Sequence, residues 1–311
     1  MCIIRQFARN DKKAGEIMFS MGRKSRSGWE FSLFVIPAVI GVLFAFYIPF
    51  VMSMAYSLTE WNGINSNPDF IGFDNFRALL QDRNFLNASL FTLKYSILYI
   101  ILVNVLAVLI ALALDRPLKT RTALRAAFFV PYILSLVIVG FIWRFIFMQG
   151  FESLYEQTGW GIFQWSWLGE NTLAFISVLL VSIWQSVGFY IVIYIAGLQS
   201  VPADVMEAAV VDGAGPVRRF FSVTLPLLAP SVTIAVFMAL TNSIKIFDVI
   251  LSLTAGGPGG STVSVSYDIY RDTFQNNMYG YGTAKALVLF FAVMIITVVQ
   301  LAYFKRREVE S

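Results

Sequence analysis

Six apolar segments dominate the chain, each long enough to cross a hydrocarbon layer of roughly 30 Å as a helix of about 20 residues. They run over approximately residues 31–57, 88–114, 124–147, 172–199, 229–253 and 284–304. Inside lipid every backbone N–H and C=O must find its partner within the protein, which leaves helices and closed barrels. A barrel strand would read as about ten residues of alternating polarity. None of the six alternates, so the pattern predicts helices. Pro37, Pro49, Pro131, Gly140 and Gly188 fall inside them and are tolerated there, because neighbouring helices re-satisfy the freed backbone groups. Only 14% of the 311 residues are charged and 58% are hydrophobic, against roughly 25% charged in soluble domains. The expected class is an all-α polytopic membrane protein.

Lysine and arginine placement sets the expected orientation. The N-terminal tail carries Arg5, Arg9, Lys12, Lys13, Arg23, Lys24 and Arg26. The second-to-third connection carries Arg116, Lys119, Arg121 and Arg125, the fourth-to-fifth Arg218 and Arg219, and the C-terminus Lys305, Arg306 and Arg307. These sixteen share one side of a six-span chain, against Arg77, Arg83 and Arg271 on the other. Both termini are therefore expected in the cytoplasm. The formal charge of +4 reads as an orientation signal, not a nucleic-acid footprint. Residues 149–171 agree: they hold Glu152, Glu156 and Glu170 with no basic residue, and Trp160, Trp165 and Trp167 suit the membrane–water boundary. The run starting near Phe31 is too long for a signal-peptide core and is followed by no small-residue cleavage site, so it reads as a retained span. Residues 1–30 are expected as a cytoplasmic tail, 31–307 as one transmembrane domain and 308–311 as a cytoplasmic end. One cysteine, Cys2, and no histidine argue against an internal disulfide or a transition-metal site.

A polar stretch between the fourth and fifth segments carries a short helix of its own. Ser200 can cap it, Pro202 fits its first turn, and Asp204 suits its positive end. Gly213 is placed to stop it, giving a helix from Ala203 to Asp212. Asp204 and Glu207 share one face, while Ala208 and Ala209 permit close approach of a partner. On physics alone, a docking helix and an incidental interfacial helix are equally good readings.

The stretch Glu207 to Pro226 reads EAA-VVD-G-AGPVRRFFS-VTLP. It resembles the signature of ATP-binding-cassette importer membrane subunits: Glu-Ala-Ala, three residues, Gly, nine residues, Ile-x-Leu-Pro. Val223 in place of isoleucine is the one departure at a fixed position. LTAGGPGGST (Leu253 to Thr262), KIFD (Lys245 to Asp248) and IGFDNF (Ile71 to Phe76) are similar to the sugar-uptake branch, the membrane subunits of maltose-type transporters. The resemblance covers roughly residues 30–307 and implies the type I importer permease fold in the bacterial cytoplasmic membrane, with a coupling loop over 200–227. It implies that Asp204, Glu207, Ala208, Ala209, Asp212 and Gly213 couple the chain to a separate ATPase. The implied partners are a second related permease subunit, two ATPase subunits that bind ATP and magnesium, an external solute-binding protein, a sugar and membrane lipids. The chain has no GxxxxGK[ST] phosphate loop of its own. No catalytic residue, cofactor, metal or nucleic acid is expected for it.

Polar residues inside the bilayer are candidates for the cargo pathway. Gln185 lies about 19 Å into the fourth span, flanked by Ser182, Trp184, Ser186 and Phe189; Asn242 and Ser243 lie about 20 Å into the fifth. Amide and hydroxyl groups beside aromatic faces suit a neutral sugar; serines and amides also hold helices together. The resemblance places sugar contacts on these two spans, at Ser182, Gln185, Ser186, Phe189 and Ser243. Lys245 and Asp248, three apart near the outer boundary, read as an anchoring pair more than as cargo contacts, and Lys94 and Asn104 are open between packing and function. The Gly256–Gly260 run reads as a sharp re-entry turn. A glycerol-phosphate or polyol importer is the alternative within the same machinery; an anionic cargo would call for arginine or lysine at mid-membrane. A channel or ion-coupled carrier would show internal repeats and buried ionisable groups, and a membrane enzyme would need an acid–base constellation. Neither pattern stands out.

Overall fold

The computed structural model describes residues 31–116 and 119–305. The predicted tail 1–30 with its seven basic residues, together with Arg306, Arg307 and the 308–311 end, lies outside the described residues. The chain falls into two units, one ending at Ala55 and one beginning at Tyr56.

The described residues of the first unit, 31–55, belong to helix α1, which runs Phe31–Tyr56. It widens into a π turn at Leu43–Tyr47, where the amide of Ile48 reaches back to the carbonyl of Leu43. Pro49 follows directly and has no N–H to give, and a widened turn is one way a helix absorbs that loss.

The second unit is nearly all helix. It contains α2 (Asp74–Leu79), α3 (Arg83–Leu114) and α4 (Arg121–Ile133), then α5 (Leu136–Thr158) and α6 (Asn171–Ser200). After these come α7 (Ala203–Val211), α8 (Pro216–Leu227), α9 (Ala229–Ile244), α10 (Val265–Tyr270) and α11 (Tyr279–Lys305). Pairing of extended chain among the described residues amounts to a single bridge, Thr59 with Phe70. Among the described residues, five helices (α1, α3, α5, α6 and α11) are long and apolar enough to cross a membrane, and α8 with α9, bent by 73°, make a sixth if taken as one broken span.

The core lies between α3 and α6. On α3 the buried residues Ala88, Thr92, Tyr95, Tyr99, Val103, Ala107 and Ala111 recur every three or four positions and form one stripe. Asp82 starts this helix by accepting from the amides of Asn84 (2.8 Å) and Phe85 (3.2 Å), which satisfies two of the donors that a helix start leaves open. Half of α6 is buried, including Gln185, Ser186 and Gly188. At Gly188 a Cβ would meet the carbonyl oxygen of Phe128 at 2.0 Å, so glycine here sets how closely α4 can lie against α6.

Two spans differ from the sequence reading. The expected third helix, 124–147, is broken: α4 ends at Ile133, Leu134 is extended (φ −72°, ψ 142°), and α5 starts afresh at Leu136. Pro131 lies inside α4, two residues before its end; its missing amide bears on the turn before it, so the proline does not itself make the break at Leu134. The expected fifth helix, 229–253, ends as α9 at Ile244; Lys245, Ile246 and Phe247 leave the helix, and a π turn at Ile250–Thr254 follows. The second and sixth helices instead start earlier than expected, at Arg83 and Tyr279. The predicted sharp turn is present: from Ala255 to Gly260, every residue but Pro258 has positive φ, and Thr254 and Thr262 hydroxyls close its base at 2.8 Å.

Candidate functional site

The two breaks face one cavity of about 300 Å³, lined by α3, the α4–α5 junction, α6 and the residues that follow α9. Gln185, halfway along α6, supplies donors to the first break. Its Nε2 donates to the carbonyls of Tyr132 (3.2 Å) and Leu134 (3.3 Å), carbonyls near the break where the helical ladder stops. Unsatisfied backbone groups away from water cost several kcal/mol each, so this amide ties the α4–α5 junction together from a neighbouring helix.

The serines of the cavity are also engaged. Ser182 donates to the carbonyl of Val178 at 2.7 Å, Ser186 to that of Ser182 at 2.7 Å, and Ser243 to that of Leu240 at 3.0 Å. Tyr99 lies 2.7 Å from the Ser186 hydroxyl; since the serine proton is already committed, the tyrosine is the donor. What these groups turn toward the cavity is therefore mostly oxygen lone pairs, including Oε1 of Gln185.

Of the seven pathway residues expected from sequence, Ser182, Gln185, Ser186, Asn242 and Ser243 line this cavity. Trp184 and Phe189 do not. Trp184 stands edge-on to Trp143 (centroids 5.5 Å apart), and Phe189 stacks on Tyr132 at 4.8 Å, behind the wall. The aromatic residues that do line the cavity are Tyr95, Tyr99, Tyr132 and Phe247, with Tyr95 stacked on Tyr99 at 5.7 Å. The expected anchoring pair is corrected as well: among the described residues Lys245 and Asp248 form no ion pair, and both line the cavity at the second break. Asn104 and Lys94 turn out engaged in packing. Asn104 accepts from Tyr194 at 2.6 Å and donates to Ile100 at 2.7 Å, and Lys94 lies over the Phe175 ring at 4.9 Å.

The short helix of the polar loop is α7. Pro202, not Ser200, occupies its capping position, and no side chain caps it; the Ser200 hydroxyl instead turns back to the carbonyl of Gly197 at 2.8 Å. The helix closes one residue earlier than expected, at Val211, and the chain leaves through Gly213 at φ +76°. That left-handed conformation is glycine's natural territory, and the space beside it is open. Asp204, Glu207, Ala208, Asp212 and Gly213 are exposed, while Ala209 is buried. Val210, Val211, Val217 and Phe221 are exposed around them, so α7 presents acidic and apolar groups together on an open surface.

A second constellation was not foreseen in the sequence. Lys285, fully buried near the start of α11, has its Nζ 2.9 Å from Asp82, 2.5 Å from Asp268 and 2.6 Å from Asp272. Arg271 bonds the free oxygen of Asp268 at 2.8 Å, Asn276 that of Asp272 at 2.9 Å, and Tyr281 donates to Asp82 at 2.8 Å. Burial works against ionisation of Asp82, but the hydrogen bonds from Lys285 and Tyr281 outweigh it and hold the carboxyl at about 2. The three carboxylate oxygens are close enough to hold a metal ion, and the ammonium of Lys285 occupies that position.

Comparison with known proteins bears on the whole chain. The sequence profile described as "Binding-protein-dependent transport system inner membrane component" matches residues 103–309. The "Probable starch degradation products transport system permease protein AmyD" of Thermoanaerobacterium thermosulfurigenes is 38% identical over 287 residues, covering 92% of this chain and 97% of that protein. The "Multiple sugar-binding transport system permease protein MsmF" of Streptococcus mutans is 37% identical over 281 residues, covering 90% and 97%. A chain from the crystal structure of a bacterial ABC transporter involved in the import of the acidic polysaccharide alginate superposes with a TM-score of 0.79. It is 22% identical and covers 92% of this chain and 98% of its own; that likeness concerns the fold.

Proposed function

The chain belongs to the family of binding-protein-dependent transport system inner membrane components, and from that membership we propose that it is a six-span permease subunit importing a mono- or oligosaccharide. In this reading α8 and α9 form the fifth span, both termini lie in the cytoplasm, and the loops after α5 and after α9 face outward. An external solute-binding protein delivers the sugar to those loops. A second related permease completes the pathway, and two ATPase subunits, which carry ATP and magnesium, drive it. Helix α7 docks on one of them through Glu207 and its neighbours. Closure of the ATPases on ATP then moves α7 as a lever and switches the cavity between outward and inward access.

The observation that carries the cargo assignment is the hydrogen-bond polarity of the cavity. Ser182, Ser186 and Ser243 commit their protons to helix carbonyls, and Gln185 commits its amide protons to the α4–α5 break. The remaining lone pairs call for a cargo rich in O–H donors. Tyr95, Tyr99 and Tyr132 add ring faces on which the C–H face of a sugar can pack. A phosphate brings acceptors and no donors at full charge, and the one positive charge it would find is Lys245, with Asp248 opposing it on the same wall. Lys245 is nonetheless the one feature that favours the glycerol-phosphate alternative.

The test is ATP-dependent uptake in proteoliposomes holding the whole complex and its binding protein, with labelled oligosaccharides and glycerol 3-phosphate offered in parallel. Saccharide uptake that is abolished by Glu207→Lys, with the variant still inserted and assembled, is the expected result. Unchanged uptake by that variant removes the coupling role of α7, and uptake of glycerol 3-phosphate alone removes the sugar assignment.

A further inference from the structure

A second, larger cavity of about 760 Å³ opens beyond the first, between the far end of α5 and the loop that leads to α6. Its volume falls within the roughly 300–1,000 Å³ of small-molecule sites. One wall is α5 from Arg144 onward, with Phe147, Glu152, Tyr155 and Glu156. The other is the loop with Gln164, Trp165 and Trp167, and Leu253 and Thr254 also line it.

Three features of this cavity point to a ligand. First, Arg144, Glu152, Glu156 and Gln164 form no ion pair or side-chain hydrogen bond among the described residues, although they surround one space. Second, the aromatic wall is rigid where it needs to be and open where a ligand would touch it. Trp167 is stacked on Phe147 (5.4 Å, 18°) and tied by its Nε1 to the carbonyl of Ile162 at 3.0 Å, whereas Trp165 beside it is 54% exposed. Third, the two cavities lie at opposite ends of one short stretch of chain. Val249 lines the inner cavity and Leu253 the outer one, about 6 Å apart at helical rise. That stretch is packed hard against α5: a Cβ at Gly140 would meet the Ser252 hydroxyl.

We propose that this outer cavity is a second saccharide site, which receives the sugar before it enters the cavity between the broken spans. The inference rests on the saccharide-importer reading above and adds a station to it. Trp165 supplies a face for the C–H side of a pyranose. Glu152 and Glu156, one helical turn apart, accept from ring hydroxyls, and Arg144 and Gln164 donate to ring oxygens. The mixture of two carboxylates with one guanidinium suits a neutral polyhydroxyl ligand. A phosphate-bearing lipid headgroup would meet two negative charges for one positive.

The experiment is equilibrium dialysis of the assembled complex in nanodiscs, without the external binding protein, using maltotetraose as the labelled probe. Should wild-type vesicles not take up maltotetraose, the longest oligosaccharide they do take up replaces it. Two sites are expected. Trp165→Ala, and separately the isosteric pair Glu152→Gln with Glu156→Gln, should weaken one of them by roughly threefold to tenfold. Asn242→Ala should affect only the other. In uptake assays the outer variants should raise KM and leave kcat within about twofold, as loss of an initial binding step requires. Saccharide binding that the outer variants leave unchanged in a complex that transports it overturns the outer site while the importer reading stands. So does a result in which those variants lose only stimulation by the binding protein, which would make this face a protein-docking surface. If the complex takes up no saccharide at all, the underlying reading fails and the outer site with it.

Discussion

The ammonium of Lys285 lies 2.9 Å from the carboxylate of Asp82, joining the first turns of α11 to the residue that caps α3. Asp268 and Asp272, from α10 and the turn after it, close on the same ammonium. One buried cation thus ties three separate segments of chain. Removing one partner of such a buried group is far more costly than never having built it, because the remaining charges stay buried and uncompensated. Lys285→Met should therefore destabilise the protein by about 3–5 kcal/mol, read as a fall in the melting temperature of the detergent-solubilised complex. Adding Asp268→Asn and Asp272→Asn to Lys285→Met should recover part of the loss. A single Lys285→Met variant that melts with the wild type would show the cluster to be ornamental.

Asp82 gives the same cluster a pH signature. Its carboxyl titrates at about 2 in the folded protein, below its usual 3.8, so the folded state binds the proton less readily than the unfolded chain. The stabilisation it brings is complete above pH 4 and is lost as the pH falls from about 4 to 2. Melting curves of the solubilised complex across that window should show a slope that Asp82→Asn flattens. The amide oxygen introduced by that substitution can still accept from the start of α3, so a variant whose slope stays at the wild-type value would place the acid sensitivity elsewhere.

The long helices were legible because lipid imposes one rule on every residue of a span, and a linear pattern can express it. The breaks were not. Pro131 is visible in the sequence, but α4 runs through it and stops only at Ile133; the break depends on a donor for the carbonyls of Tyr132 and Leu134, which Gln185 supplies from another helix. The cavity was half legible for the same reason. Ser182, Gln185, Ser186, Asn242 and Ser243 stand out as polar letters in apolar runs. Tyr95, Tyr99 and Tyr132 do not, since a tyrosine in a span is ordinary and only the rotation of α3 and the α4–α5 break turn these toward the cavity. The Lys285 cluster gave no signal in the sequence, because its carboxylates come from other parts of the chain.

Gln185 should prove to be a structural residue as well as a pathway residue. Gln185→Leu keeps the volume but leaves the carbonyls of Tyr132 and Leu134 without their donor, at a cost of about 1–3 kcal/mol. Both thermal stability and uptake are expected to fall, and Gln185→Glu should fall at least as far. Loss of uptake at unchanged stability would assign the residue to cargo binding alone.

Gly213 positions α7 through its backbone, not through contacts. With φ at +76° and open space around it, Gly213→Ala meets a conformational cost of about 1–2 kcal/mol and no collision. Gly213→Pro cannot adopt the angle at all. The expected order in uptake is wild type, then alanine, then proline, with the same order in the coupling of ATP hydrolysis to transport. Full uptake by the proline variant would mean that the exit angle of α7 is irrelevant to coupling.

Gly188 and Gly41 make a matched pair of opposite sign. Both are helical glycines, and replacing such a residue by alanine ordinarily favours a helix by about 1 kcal/mol. At Gly41, within α1, an added Cβ meets nothing within 4 Å, so Gly41→Ala should be neutral or slightly stabilising. At Gly188 the Cβ would meet the Phe128 carbonyl oxygen at 2.0 Å, a backbone atom that can yield only if α4 moves. Displacing α4 lengthens the bonds from Gln185 to Tyr132 and Leu134 and disturbs the stack of Phe189 on Tyr132. Overpacking of this kind costs about 1–3 kcal/mol, so Gly188→Ala should lower the melting temperature and the uptake rate together, and Gly188→Val should lower both further. If Gly188→Ala behaves like Gly41→Ala, the close approach of α4 to α6 is not what holds the broken span in place.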